Sequence, residues 1–147
     1  MTVATVVEIK GHFLTVEEII AKQPQLNQPA GHLEDNESLV EATVRECMEE
    51  TGWLFKPEYL IGIYRWKNPD TREAFLRFAF GGKLQEFYPE RPLDKGILTA
   101  CWMTHDELVQ QSHRLRSPLV IQSVDDYLAG KHYPLSLLSD ISSLETL

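Results

Sequence analysis

Residues Gly31–Trp53, GHLEDNESLVEATVRECMEETGW, decide the fold because they join a helix-forming pattern to a dense group of carboxylates. Glu46, Glu49 and Glu50 stand at i, i+3 and i+4, so an α-helix would place them on one face within a single turn. Carboxylates that close repel one another, and a hard cation such as Mg²⁺ relieves the repulsion while bridging to phosphate oxygens. The spacing therefore predicts a metal site for phosphate chemistry.

Start and stop signals bracket these carboxylates. Ser38 and Glu41 match the S-x-x-E capping box, and Gly52 stands where a left-handed C-terminal residue is favoured. We therefore expect a helix from about Ser38 to Thr51. A second face of this helix, about 130° around its axis from the carboxylates, should be apolar. It comprises Val40, Val44 and Cys47. The alternative is a solvated Glu-rich helix, but the segment has no lysine and only one arginine to offset its acids.

The segment resembles the Nudix box, G-x5-E-x7-R-E-U-x-E-E-x-G-U, in which U is a bulky apolar residue. All fixed positions match, at Gly31, Glu37, Arg45, Glu46, Glu49, Glu50 and Gly52. Cys47 and Trp53 occupy the two U positions, and Cys47 is smaller than the usual aliphatic residue. Agreement at every fixed position over 23 residues makes a chance match remote.

The resemblance implies a hydrolase of diphosphate linkages that uses Mg²⁺, with Mn²⁺ as an alternative. It implies metal ligation by the carboxylates of Glu46, Glu49 and Glu50 and by the backbone carbonyl of Gly31. Such an ion neutralises phosphate charge and lowers the pKa of a coordinated water, whose proton a glutamate could accept. Glu49 is the favoured base, although some Nudix enzymes recruit an acid from a later loop instead.

Arg45 and Glu37 belong to the same predicted catalytic group. In Nudix proteins the corresponding residues hold the loop and orient a ligand glutamate, which is the supporting role expected here. An ordinary surface ion pair between the two side chains is the alternative interpretation.

The rest of the chain predicts strands around this helix. Period-two and apolar patterns favour strands at Thr2–Ile9, His12–Val16, Tyr59–Trp66, Ala74–Phe80 and Thr99–Met103, with a turn at Lys10-Gly11 and a loop over Gln23–Ala30. Two further helices are expected at Thr104–Gln111 and Ser117–Ala129. Together with the resemblance, these elements indicate an α/β fold over a single domain, residues 1–147. The Nudix fold is an α/β/α sandwich with a mixed sheet and a central Nudix helix.

Flanking motifs resemble the NudJ phosphatase group within the family. They are NQPAGHLE at residues 27–34, FLRF at 75–78, LRSPLV at 115–120 and YPL at 133–135. This likeness implies release of inorganic phosphate from thiamine diphosphate, hydroxymethylpyrimidine diphosphate and nucleoside di- and triphosphates. A pyrophosphatase for ADP-ribose, a dinucleotide polyphosphate or an oxidised nucleotide stays open. A non-catalytic ligand-binding module is disfavoured because every box glutamate is present.

Four residues are candidates for binding substrate. Arg114 and Arg116 flank Leu115, and a guanidinium fork suits phosphate, although pairing with a nearby acid is an equal alternative for each. Arg77 could point from its strand into a cleft or lie on a solvated face. Trp66, near a strand end, is the candidate for stacking on a substrate ring, whereas Phe75 is expected in the core.

Composition restricts the partners. The formal charge of −8 argues against a nucleic-acid backbone and leaves a small phosphorylated molecule as the expected partner. No secretory signal or long apolar run is present, so a cytoplasmic protein without membrane contact is expected. A monomer is favoured, with a homodimer open. The leucine-containing segment 135–147 is a candidate for covering a sheet edge or for self-association.

Overall fold

The computed structural model describes residues 1–141, so residues 142–147 of the predicted domain and of the leucine-containing segment lie outside the described part. The strands are β1 (Thr2–Val6), β2 (Glu8–Ile9), β3 (His12–Ile20), β4 (Gln23–Asn27), β5 (Ala30–His32), β6 (Trp53–Lys67), β7 (Ala74–Phe87), β8 (Ile97–Thr104) and β9 (Tyr133–Pro134). The helices are α1 (Leu39–Thr51), α2 (His105–Gln110) and α3 (Leu119–Leu128), with single 3₁₀ turns at Ser112–Arg114 and Leu135–Leu137.

The larger sheet is mixed and has the order β5-β1-β7-β6-β9. Strand β1 runs parallel to β7, with Val3 opposite Phe78, and antiparallel to β5, with Val3 opposite Gly31. The long β6–β7 hairpin continues the sheet, and β9 covers part of its edge by pairing with Tyr59 and Leu60. This register places Gly31 in the edge strand β5, against Glu46 of α1.

The two faces of this sheet are covered by different helices. Because successive strand residues point to opposite sides, Leu60 and Phe80 pack with α1, whereas Ile61 and Ala79 pack with α2 and α3. Apolar layers on both faces produce the α/β/α arrangement that the sequence predicts. No helix among the described residues is both long and apolar enough to span a membrane.

A second sheet is formed by β2, β3, β4 and β8, with β8 pairing along β3. Its strand β4 corrects the sequence analysis, which expects a loop over Gln23–Ala30. Pro24 is accommodated because β4 lies at a sheet edge, where a missing amide donor breaks no ladder on the outer side. Residues of both sheets line the cavity that is described below.

Helix α1 begins and ends as its sequence predicts. Ser38 is the N-cap, and its hydroxyl accepts a hydrogen bond from the Glu41 amide at 3.1 Å while the Glu41 carboxylate accepts one from the Ser38 amide at 3.0 Å. Gly52 adopts φ 79°, the left-handed conformation that ends a helix. The predicted apolar face is only partly correct: Cys47 is fully buried, but Val40 and Val44 are half-buried, since Ala42 packs more deeply into the core.

Candidate metal centre and adjoining cavity

Three carboxylates converge beside the C-terminal half of α1. Oxygen atoms of Glu46, Glu49 and Asp94 all lie within 4.8 Å of one another. Burial raises the pKa of Glu46, and repulsion from Glu49 and Asp94 adds to the effect against the opposing pull of Arg45. Desolvation and the neighbouring Glu49 likewise raise the pKa of Asp94. An all-oxygen, mutually repelling donor set fits a hard divalent cation.

Asp94 was not among the candidates from sequence. It lies in the loop between β7 and β8, which folds back on the C-terminal end of α1. The Asp94 amide donates to the Glu49 carbonyl at 2.9 Å, and the Tyr88 amide donates to the Gly52 carbonyl at 2.8 Å. These bonds fix the loop and bring its acid to the helix. The one available signal was the family tendency to recruit an acid from a later loop.

Arg45 organises the acids around it. Its Nε and Nη2 donate to the two oxygens of Glu37 at 3.0 and 2.7 Å, and its Nη1 donates to Glu46 at 2.7 Å and to Glu49 at 3.1 Å. Nη2 also donates to the His32 carbonyl at 3.0 Å. These partners raise the pKa of Arg45, and the bond from Arg45 lowers the pKa of Glu37. The Arg45 guanidinium thus joins Glu37 to the Glu46 and Glu49 carboxylates, and a supporting role of the pair in catalysis stays a prediction.

Glu50 lies on the same helix face but outside the three-carboxylate group. Its Oε1 accepts a hydrogen bond from the Ala30 amide at 2.8 Å, which ties α1 to β5. Burial is the main reason that its pKa rises to about 9. Gly31 lies against the Glu46 carboxylate, and a Cβ at this position would displace that carboxylate. Ligation by Glu50 and by the Gly31 carbonyl stays a prediction.

A cavity of about 170 Å³ opens on the other side of Gly31, between the two sheets. Three of the four predicted substrate residues line it: Trp66, Arg77 and Arg116. The expectation for Phe75 was wrong. Phe75 is half-buried and lines the cavity, stacked on Trp66 with ring centroids 5.8 Å apart, because the hairpin register sets the two residues opposite each other.

The two arginines that line the cavity are held in different ways. Arg77 is 6% exposed, and its Nη1 and Nη2 donate to Gln28 at 3.1 Å and Asn27 at 3.4 Å. Burial, followed by repulsion from Arg116, lowers the pKa of Arg77 to about 10. Arg116 is held at the cavity wall by its backbone amide, which donates to the Leu26 carbonyl at 2.8 Å. The arrangement concentrates positive charge beside a flat aromatic surface.

The fourth candidate, Arg114, is not among the residues lining the cavity. Its guanidinium forms an ion pair with Glu17 of β3 and contacts Gln111. Glu18, which follows Glu17 in β3, does line the cavity, and the sequence analysis did not identify it. Alternation along β3 separates the two acids, and nothing in the local sequence distinguishes which of them faces inward.

Comparison with known proteins identifies the family. A family model described as the NUDIX domain matches residues 2–123. Phosphatase NudJ of Escherichia coli strain K12 is 44% identical over 142 residues, which cover 97% of this chain and 92% of the relative. A NUDIX hydrolase from Nitrosomonas europaea has a solved structure that matches with a TM-score of 0.94 at 46% identity, covering 97% of each chain.

More distant structures share the architecture. A MutT NUDIX hydrolase from Burkholderia pseudomallei has 16% identity and a TM-score of 0.72 over 85% of this chain and 95% of its own. At that identity the likeness concerns the fold alone, and it agrees with the predicted sandwich. The complete box, the family match and the close relatives together confirm the resemblance noted in the sequence. The chain belongs to the Nudix family, close to phosphatase NudJ, and is a hydrolase acting on phosphorus-containing anhydrides.

Proposed function

We propose that this protein is a Mg²⁺- or Mn²⁺-dependent phosphatase that releases inorganic phosphate from small diphosphates and triphosphates. The proposed substrates are thiamine diphosphate, hydroxymethylpyrimidine diphosphate and nucleoside di- and triphosphates. One observation carries the proposal: Gly31 lines the ring-sized cavity and also lies against Glu46 of the carboxylate cluster, so phosphate and ring would be bound side by side. Likeness to NudJ over 97% of the chain supports the same choice.

Glu46, Glu49 and Asp94 would hold the metal ion, with Glu50 and the Gly31 carbonyl as further donors. When bound, the ion supplies charge neutralisation at the phosphate oxygens and Lewis-acid activation of water. Arg45 holds the Glu46 and Glu49 carboxylates in place through its hydrogen bonds. Glu49 and Asp94 are the candidates for accepting the proton of the attacking water, because the bond from Arg45 to Glu49 is longer, at 3.1 Å, than its 2.7 Å bond to Glu46.

The cavity would hold the ring of the substrate. Trp66 and Phe75 offer a stacked aromatic surface, and Arg116 offers a guanidinium to a phosphate oxygen near the ring. A volume of about 170 Å³ is below the range of typical drug-sized pockets. This size favours a single ring over the two nucleosides of a dinucleotide polyphosphate. The two free cysteines, Cys47 and Cys101, support a reducing, cytoplasmic location.

The identity of the product tests the proposal. Purified protein with Mg²⁺, and separately with Mn²⁺, is incubated with the proposed substrates, with ADP-ribose and with a dinucleotide polyphosphate. We expect inorganic phosphate from the first group and little turnover of the other two. Pyrophosphate from a triphosphate, or nucleoside monophosphate from ADP-ribose, would replace the phosphatase by a pyrophosphatase. Absence of turnover with every compound and both ions would contradict the proposed activity altogether.

A further inference from the structure

Glu18 is the one acid among the described residues that line the cavity. It lies in β3 at a register shift between Glu17 and Glu18, where the pairing with β8 moves by one residue. Such bulges re-aim side chains near functional sites. Glu17 turns to Arg114 outside the cavity, whereas the Glu18 side chain is only 15% exposed and faces inward. A nearly buried carboxylate therefore forms part of the wall.

This carboxylate forms only a long ion pair, with Arg116. The shortest approach to Arg116 is 3.9 Å, from Nε to Oε1, which exceeds hydrogen-bond distance. Burial raises the pKa of Glu18, whereas the charge of Arg116, a side-chain hydrogen bond with Asn27 and the charge of Arg77 act to lower it. The bond with Asn27 leaves further acceptor positions on the carboxylate. In the absence of a bound cation, a carboxylate in the cavity wall repels a phosphate group. Glu18 suits a ligand group that donates a hydrogen bond.

Arg77 supplies the complementary feature. Its Nε is buried and has no hydrogen-bond acceptor among the described residues, although both Nη atoms are satisfied by Gln28 and Asn27. Buried donors without acceptors are rare and costly. The cavity wall thus combines an acceptor at Glu18 and an unsatisfied donor at Arg77 beside the flat Trp66–Phe75 pair.

We propose that Glu18 and Arg77 select planar heterocycles that carry an exocyclic amino group next to a ring-nitrogen acceptor. The amino group would donate to Glu18, the ring nitrogen would accept from Arg77, and the ring would stack on Trp66. Cytosine has this edge and uracil does not, since uracil presents an oxygen and a protonated ring nitrogen. The inference rests on the proposed function, because it takes the cavity to be the place where the substrate ring binds.

Two measurements on cytidine and uridine compounds test this specificity. The first is kcat/KM for phosphate release from CDP and UDP, and the second is binding of CMP and UMP by calorimetry, which needs no turnover. We expect the wild-type protein to favour the cytidine compound by about tenfold in both, the size of effect that one hydrogen bond to a charged group produces. Equal values for cytidine and uridine in the wild type would overturn the proposal without any variant.

Variants then assign the preference to Glu18. In Glu18→Gln the amide can both accept and donate, so the preference should fall to about threefold or less. Glu17→Gln is the matched control on the same strand and should keep the wild-type preference, because its partner Arg114 lies outside the cavity. A cavity that binds phosphate instead would show Glu18→Gln tightening CMP and UMP equally, which contradicts ring selection. Ring-selective CMP binding without CDP turnover would leave the inference standing and refute the proposed activity.

Discussion

The metal cluster and the cavity are neighbours, but they are built in different ways. Glu46 and Glu49 come from a single turn of α1, and their geometry follows from helical spacing alone. The cavity takes residues from β3, β7 and the segment before α3, so that Glu18, Arg77 and Arg116 are far apart in sequence. Chemistry shared by a family can thus be carried by one helix, whereas substrate choice depends on how two sheets come together.

The strongest test of this contrast removes one carboxylate from the helix. Glu49→Gln keeps size and helix propensity, and we expect phosphate release to fall by about 10³-fold, the midrange for loss of a group that handles a proton or an ion. Circular dichroism should show an unchanged fold, and binding of Mn²⁺ should weaken. Wild-type turnover in this variant would remove Glu49 from the proposed site.

A smaller loss is expected when the acid comes from outside the helix. Asp94→Asn should reduce phosphate release by about 10 to 100-fold, because the loop is still held by backbone hydrogen bonds while one oxygen donor is weakened. The control is Glu90→Gln, an exposed acid of the same loop, which should stay within twofold of wild type. Equal losses in both variants would indicate a general charge effect of the loop in place of a specific Asp94 contact.

The smallest effect is expected on the cavity side. Arg116→Ala should raise KM for CDP by about tenfold with little change in kcat, because it removes a phosphate contact made in both ground and transition states. Arg114→Ala is the paired comparison, and its KM should match wild type since Arg114 is engaged by Glu17. Steady-state kinetics of the two variants show which of the two arginines, Arg114 or Arg116, contacts the substrate. The opposite ranking would return the substrate contact to Arg114.

Much of the fold could be predicted because its signals are local. The Ser38 cap, the Gly52 terminator and the Thr104 capping box each specify a helix end within a few residues, and the structure confirms all three. Strand β4 was missed because prolines usually indicate a loop, and only its position at a sheet edge makes Pro24 acceptable. Phe75 was misassigned for a related reason: its exposure depends on a cross-strand partner, Trp66, that local sequence does not reveal.

The site divides along the same line. The structure brings Glu46 and Glu49 together, as their spacing predicts, and it shows Glu50 bound to the Ala30 amide. The role of all three as metal ligands stays a prediction. The spacing of residues along one helix says nothing about carboxylates from other segments, so Asp94 and Glu18 could not be predicted as part of the site. Between Arg114 and Arg116, only the tertiary structure shows which guanidinium an acid already occupies.

Two main-chain hydrogen bonds hold the loop that carries Asp94 to the C-terminal end of α1, from the amides of Tyr88 and Asp94 to the carbonyls of Gly52 and Glu49. Any residue other than proline can supply such an amide. Substitutions elsewhere in this loop can therefore change its side chains while these two bonds still position the acid. Laboratory evolution of new substrate ranges could begin in this loop, since its side chains can change while the two hydrogen bonds to α1 are kept.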